Sequence, residues 1–185
     1  MNARLIVLGW EEFLRDTVHL AQRIRASGYS PDLLIAVARG GWVVGRILSD
    51  CLGISDAFSL TIKSYRGLSR RAEEEVLQGL PPGLKGKAAL VVDDVSDTGS
   101  TLKRAVELVR GAGLPQVRAA TLYIKPKTSF IPDFYVRRME GWVVFPYEYC
   151  ETSRELRSMS SGSRELSELG AKTTLAECCR EGAEA

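Results

Sequence analysis

The run Ala89-Leu90-Val91-Val92-Asp93-Asp94-Val95-Ser96-Asp97-Thr98-Gly99-Ser100-Thr101-Leu102 constrains this chain more than all the rest of it. Its apolar start, Ala89 to Val92, reads as a strand buried on both faces that ends at two adjacent carboxylates, Asp93 and Asp94. A turn rich in Asp, Thr, Gly and Ser follows, then a helical stretch from Leu102 to Val109. That order sets free backbone N–H groups, hydroxyls and the positive end of a helix dipole at the carboxyl edge of a sheet, where phosphate is held. Paired acids beside such a place would repel a second phosphate and suit a polyol instead. Phosphate and diol recognition side by side point to a ribose 5-phosphate. The plain alternative is a strand-to-helix turn in which Asp97 or Thr98 only caps the helix. No Gly-Lys-Ser/Thr stands where a Walker A loop requires it.

At 185 residues the chain fits one domain with a small appendage and is long enough to bury a core. Hydrophobic content of 45% and a charged fraction of 26% place it among ordinary globular proteins. A net charge of +2 gives no argument for nucleic acid, whereas an anionic small substrate needs only a local basic pocket. No signal peptide or membrane-length apolar run is apparent, so the expected compartment is the cytoplasm, with no membrane partner. Four cysteines, Cys51, Cys150, Cys178 and Cys179, lack paired metal-ligand spacing, and the adjacent pair near a polar terminus reads as incidental.

Strand and helix alternate along the chain, which predicts an α/β fold with a mainly parallel sheet flanked by helices on both faces. Leu5 to Leu8 is a short strand. Glu11 to Ser27 is a helix with Phe13, Leu14, Val18, Ala21 and Ile24 on one face, stopped by Gly28. Leu33 to Ala38 is a buried strand, Val43 to Leu52 a helix ended by Gly53, and Ala57 to Lys63 a third strand. Residues 64–86, with Gly67, Gly79, Pro81, Pro82, Gly83 and the charge run Arg70–Glu75, read as one long solvated connection, the kind that forms a lid or stays disordered. Gln116 to Ile124, Phe134 to Val136 and Trp142 to Phe145 complete the strands, and 151–185 is a polar surface helix or partly disordered tail. After the Leu33–Ala38 strand, Arg39-Gly40-Gly41 marks a second place where backbone can approach an anion closely.

The central run resembles the phosphoribosyl-pyrophosphate (PRPP) motif of type I phosphoribosyltransferases, and roughly residues 31–150 resemble the hypoxanthine-guanine and xanthine-guanine members. The resemblance implies a phosphoribosyltransferase domain over 1–150, with a core of about 30–125, a small hood from about 1–10 and 126–150, and a polar extension over 151–185. It implies a purine-salvage enzyme that moves ribose 5-phosphate from PRPP to N9 of a 6-oxopurine (guanine, hypoxanthine or xanthine) and releases pyrophosphate. PRPP would be held by Arg39, Gly40, Ser64, Tyr65, Asp93, Asp94, Thr98, Gly99, Ser100 and Thr101. Arg39-Gly40 would take the pyrophosphate, in a loop where the family often has a non-proline cis peptide, and Ser64-Tyr65 would open a mobile flap. Mg2+ is the implied cofactor, with Asp94 and Glu148 near it. A homodimer or homotetramer is the implied assembly.

Three features bear on the base. Asp97 stands where 6-oxopurine members carry Asp-Thr-Gly, and an aspartate there can take the N7 proton as N9 attacks, which makes it the candidate catalytic residue. Lys125 closes the Gln116–Ile124 strand. Its ammonium is a donor only, so it suits a 6-oxo group and not the amino group of adenine. Trp142 can stack on a purine while the backbone of Val143, with Glu148, reads its edge. Glu148 stands where Asp is usual, and Lys127 replaces the arginine that often follows the Lys-Pro pair. Two alternatives stay open, an adenine transferase of the same fold and a PRPP-sensing regulator. The second needs a nucleic-acid-binding surface, and the residues before the first core strand are too few for a winged helix.

Overall fold

A computed structural model describes residues 4–66, 72–84 and 88–158, with the side chains of 64–66 and 72–74 left undescribed. The tail from 159 onward, including Cys178 and Cys179, and part of the connection after Arg66 therefore lie outside the described residues. In chain order the elements are β1 (Leu5–Val7), α1 (Trp10–Ala26), β2 (Leu33–Ala38), α2 (Gly40–Leu52), β3 (Asp56–Arg66), β4 (Ala72–Gln78), β5 (Ala88–Ser96), α3 (Ser100–Gly111), β6 (Gln116–Ile124), β7 (Phe134–Arg138), β8 (Trp142–Val144) and α4 (Tyr149–Ser158). They form two compact units: Asp16–Met139, and the residues up to Arg15 together with those from Glu140 onward. No helix among the described residues is long and apolar enough to cross a membrane.

The larger unit is built on a six-stranded sheet in the order β4-β3-β2-β5-β6-β7, parallel except for the β3–β4 pair. The α/β expectation holds. From β2 the chain crosses through α2 to β3 on one side, and from β5 through α3 to β6 on the other. Right-handed crossovers in opposite directions must put the two helices on opposite faces of the sheet. Leu33, Ile35 and Val37 of β2 accordingly join Leu102, Ala105, Val106 and Val109 of α3 in the main buried core. On the other face, Gly45 lets α2 close onto Leu34 and Ala36. Where the winding direction reverses, between β2 and β5, a crevice opens at the carboxyl ends of both strands, the usual place for a ligand in such a sheet.

Three expectations about extent are corrected. The double acid does not end its strand, because β6 stays paired with β5 as far as Ser96↔Ile124, while β2 pairs with it only to Ala36↔Val92. The first helix turn after β2 starts at Gly40 rather than Val43. The connection 64–86 is in part a β-hairpin: β3 runs to Arg66 and pairs with β4 in antiparallel register, Lys63 opposite Glu75. The charge run holds the reason, since opposite charges facing each other across strands stabilise pairing.

The smaller unit has its own two-stranded parallel sheet, β1 with β8, in the register Leu5↔Trp142 to Val7↔Val144. Val144, Tyr149 and Leu156 form its buried cluster, with Leu5, Val7 and Trp142 packed against it. Phe145 and Tyr147 stack at 5.3 Å, and Phe13 meets both edge-on.

In the larger unit, α1 is tied to the sheet through one buried carboxylate. Asp16 accepts a hydrogen bond from the Tyr123 hydroxyl at 2.6 Å and from Arg137 at 2.9 Å. Burial, then the bond to Asp16, pushes the Tyr123 hydroxyl far up from its ordinary pKa. Tyr123→Phe removes one donor from a carboxylate that is 6% exposed, so stability should fall by about 1–3 kcal/mol, read from chemical denaturation. Unchanged stability would show that Arg137 alone satisfies Asp16.

Candidate active site

The crevice between β2 and β5 holds a pocket of about 240 Å³ lined by Val37 and Ala38 from β2 and by Asp93–Gly99, Thr101 and Leu102. Its geometry follows from unequal pairing. Beyond Val92, β5 keeps β6 as partner but has lost β2, so one edge of Asp93–Ser96 is left for other groups. The start of α2 takes that place. A Cβ on Gly40 would overlap the Asp94 carboxyl group, and one on Gly41 would overlap the Val92 carbonyl oxygen. Only paired glycines let this helix begin against the strand. The peptide Ala38–Arg39 that leads into it is cis, a point the sequence left open, and exposed Arg39 is the residue before the helix.

At the other end of the acidic segment, Gly99 turns the chain into α3 with φ +85° and no side-chain cap. A Cβ there would stand 2.6 Å from both Phe130 N and Thr128 Oγ1, so the position needs glycine for its backbone angle and for space. The amides of the first turn of α3 have no partner within the helix. Thr98 and Ser100 add hydroxyls 3.1 Å apart. Two helix amino ends, of α2 and α3, thus border one pair of aspartates. The arrangement can take an anion at each helix end and a diol between them.

The acids differ in setting. Asp94 is 8% exposed, while Asp93 is half-buried and accepts the Asp94 amide at 2.9 Å. Burial first, and the Asp94 charge second, raise the Asp93 pKa well above the usual carboxylate value. Among the described residues no three acidic, His or Cys side chains come together to hold a metal. Two adjacent carboxylates still fit a hard cation that keeps its waters and arrives with substrate phosphates, which is how Mg2+ is commonly bound.

Asp97 is half exposed, and its Oδ2 lies 2.9 Å from Lys127 Nζ. Sequence reasoning considered Lys127 only as a replacement for an arginine. Lys125 is 8% exposed, and burial lowers its pKa, with Asp97 opposing the effect and Lys127 adding to it. Its N–H donates to Ser96 O at 3.0 Å, which hangs the lysine beside the turn that leads into α3. Sequence reasoning missed the contacts of Thr128, Ser129 and Phe130 with that turn. Their only signal was position after Lys-Pro, since hydroxyl and aromatic residues in a loop are common.

The structure therefore brings Asp93, Asp94, Asp97, Thr98, Gly99, Ser100 and Thr101 together with Arg39, Gly40 and Lys125. Ser64 and Tyr65 lie inside β3, not in a loop after it, and only their backbone is described. Trp142, Val143 and Glu148 belong to the smaller unit. There Trp142 is half-buried against the local core and Val143 is buried. Glu148 precedes α4, and its Oε1 accepts the Phe145 amide at 2.9 Å.

Residues 6–154 match the family model of the phosphoribosyl transferase domain. The chain is 33% identical over 148 residues to the xanthine-guanine phosphoribosyltransferase of Idiomarina loihiensis, covering 78% of this chain and 88% of that one. Among solved structures it is similar to a purine phosphoribosyltransferase of Pyrococcus horikoshii, with TM-score 0.70, 38% identity, and coverage of 77% of this chain and 93% of the other. A hypothetical protein of Neisseria gonorrhoeae with bound ppGpp matches at TM-score 0.71 and 25% identity, covering 97% and 99% of the two chains.

A carboxyl group with a raised pKa holds its proton more tightly in the fold than in the unfolded chain. It costs stability as pH climbs from the unfolded value through the folded one. Asp93→Asn should therefore raise the Tm of the ligand-free protein at about pH 7.5, and the gain should fade toward about pH 4, where the carboxyl is protonated in both states. Thermal unfolding at the two pH values checks this. A lower Tm at neutral pH would mean that the charged form is the stabilising one.

Proposed function

The chain belongs to the phosphoribosyltransferase family, and from that premise we propose that it transfers ribose 5-phosphate from PRPP to N9 of a 6-oxopurine. The observation that carries the reading is the pair Asp93-Asp94 set between the amino ends of α2 and α3 at the sheet's reversal point. The 5-phosphate goes to Thr98–Thr101, the ribose hydroxyls to the acids, and the pyrophosphate to Arg39-Gly40. The relatives from Idiomarina and Pyrococcus support a purine as acceptor. ppGpp, held by the gonococcal relative, itself combines guanine with a phosphorylated ribose.

In the reaction N9 forms its bond to C1 of the ribose while the bond from C1 to the pyrophosphate oxygen breaks, and the electron pair leaves with pyrophosphate. Positive charge gathers on C1 and the ring oxygen, and the fixed carboxylates of Asp93 and Asp94 favour it. Asp97 receives the N7 proton. Lys125 donates to O6 of the base, a buried donor matched to an acceptor. Asp94 would hold Mg2+, which when bound would supply positive charge to offset that on the leaving group. Binding of the remote 5-phosphate places C1 for attack.

A purine panel assayed with PRPP and magnesium, scored by pyrophosphate release, tests the reading. Guanine, hypoxanthine or xanthine should be used far better than adenine, and preference for adenine would replace the proposal with an adenine transferase. Lys125→Ala should reduce oxopurine use by about ten- to a few-hundredfold and narrow the gap to adenine. Asp97→Asn should lower kcat by about 10² or more with little change in PRPP affinity, the usual scale of a general base. A kcat equal to that of the unaltered enzyme would remove Asp97 from the chemistry.

A further inference from the structure

Two donors of one residue converge on a single carbonyl of the phosphate turn. Ser129 N–H donates to Thr98 O at 2.8 Å, and Ser129 Oγ donates to the same atom at 2.9 Å. Ala38–Arg39 is the one cis peptide among the described residues, so Thr98–Gly99 is trans. In a trans peptide the C=O and the following N–H point in opposite directions. Pinning the Thr98 oxygen against Ser129 therefore turns Gly99 N–H away from the Lys125–Phe130 segment. Gly99 and Thr98 both line the pocket.

The segment that carries Ser129 is itself fastened. Thr128 Oγ1 and Ser96 Oγ lie 2.8 Å apart, where one donates to the other, and Phe130 O lies 3.0 and 3.1 Å from them as acceptor for the remaining proton. Thr128 N–H donates to Lys125 O, and Lys125 N–H to Ser96 O. Phe130 fills the space next to the Gly99 Cα, so the turn cannot swing toward the segment. Preorganised donors stabilise an anion well because they need no reorientation when it arrives.

We propose that Ser129 is a positioning residue for the 5-phosphate: by holding the Thr98 carbonyl, it aims Gly99 N–H at the bound anion. The proposal rests on the reading of Thr98–Thr101 as the phosphate site. Ser129 is exposed and its hydroxyl serves the turn, so its loss should reach phosphate affinity before it reaches the stability of the fold.

Ribose 5-phosphate is the probe, with its affinity measured by calorimetry and its contacts by amide chemical shifts. In the unaltered protein it should shift the Gly99 and Ser100 amides. Ser129→Ala should weaken it by about three- to tenfold, the usual worth of one such hydrogen bond. The KM for PRPP should rise in step, with kcat, the KM for the purine, pyrophosphate binding and Tm almost unchanged. Ser129→Thr, which keeps the hydroxyl, should restore affinity. If ribose 5-phosphate shifts Gly99 but Ser129→Ala binds it as tightly as the unaltered protein, the positioning role is wrong and the phosphate site stands. If the unaltered protein binds it with Gly99 and Ser100 unmoved, the phosphate reading fails and takes the inference with it. Equal loss of ribose 5-phosphate and pyrophosphate binding with a lowered Tm would mark general disruption and overturn the role.

Discussion

The site depends on where pairing stops along β5. Its neighbour β2 lets go after Val92, while β6 holds on to Ser96. The segment between is rigid because one edge is hydrogen-bonded and accessible because the other is not. A strand bound on both edges would have no edge to offer α2, and one bound on neither would be a loop. Half-pairing lets two adjacent carboxylates sit in regular backbone at the end of a buried sheet. The two glycines at the start of α2 complete the arrangement, since any side chain there would overlap Asp94 or the backbone beneath it.

Charge follows from the same geometry. Unlike charges alone would make a stable salt-bridged cluster, but here two acids share one strand end and Asp93 holds its proton beyond the usual range. A ligand that brings hydroxyls, or a cation accompanying its phosphates, would ease this crowding of like charge. The fold bears this local cost because the sheet beneath it is buried: Leu90, Val91 and Val92 are 0% exposed. Stability is stored in the strand and given up at its end.

Much of this was legible in the sequence. The apolar run Leu33–Ala38 coincides with β2, because central parallel strands are read as unbroken hydrophobic stretches, and Gln116–Ile124 coincides with β6 although Gln116 and Arg118 interrupt its start. Gly99 and the hydroxyls around it marked the strand-to-helix turn through composition alone. What failed was extent. Asp93 to Ser96 look like the end of a strand, and only the partner β6 shows that they continue it. Gly40-Gly41 look like a turn, yet they form the opening of a helix, for a reason that lies on another strand. The acidic run at 73–75 looks like a solvated loop until Lys63 is placed opposite Glu75. The role of Ser129 was invisible for the same cause: its meaning is a contact thirty-one residues away in sequence, and nothing local announces it.

The backbone bonds that join the Lys125–Phe130 segment to the end of β5 and the turn after it, Lys125 N–H to Ser96 O and Ser129 N–H to Thr98 O, involve no side chain. They fix a count rather than a composition: three residues lie between the two donors, and one residue between the two acceptors. Descendants of such a gene can exchange Pro126, Lys127 or Thr128 and keep both bonds, but a single inserted or deleted codon there breaks the match between the two spans. For these two bonds the fold fixes the length of the stretch and leaves the identity of those three residues open.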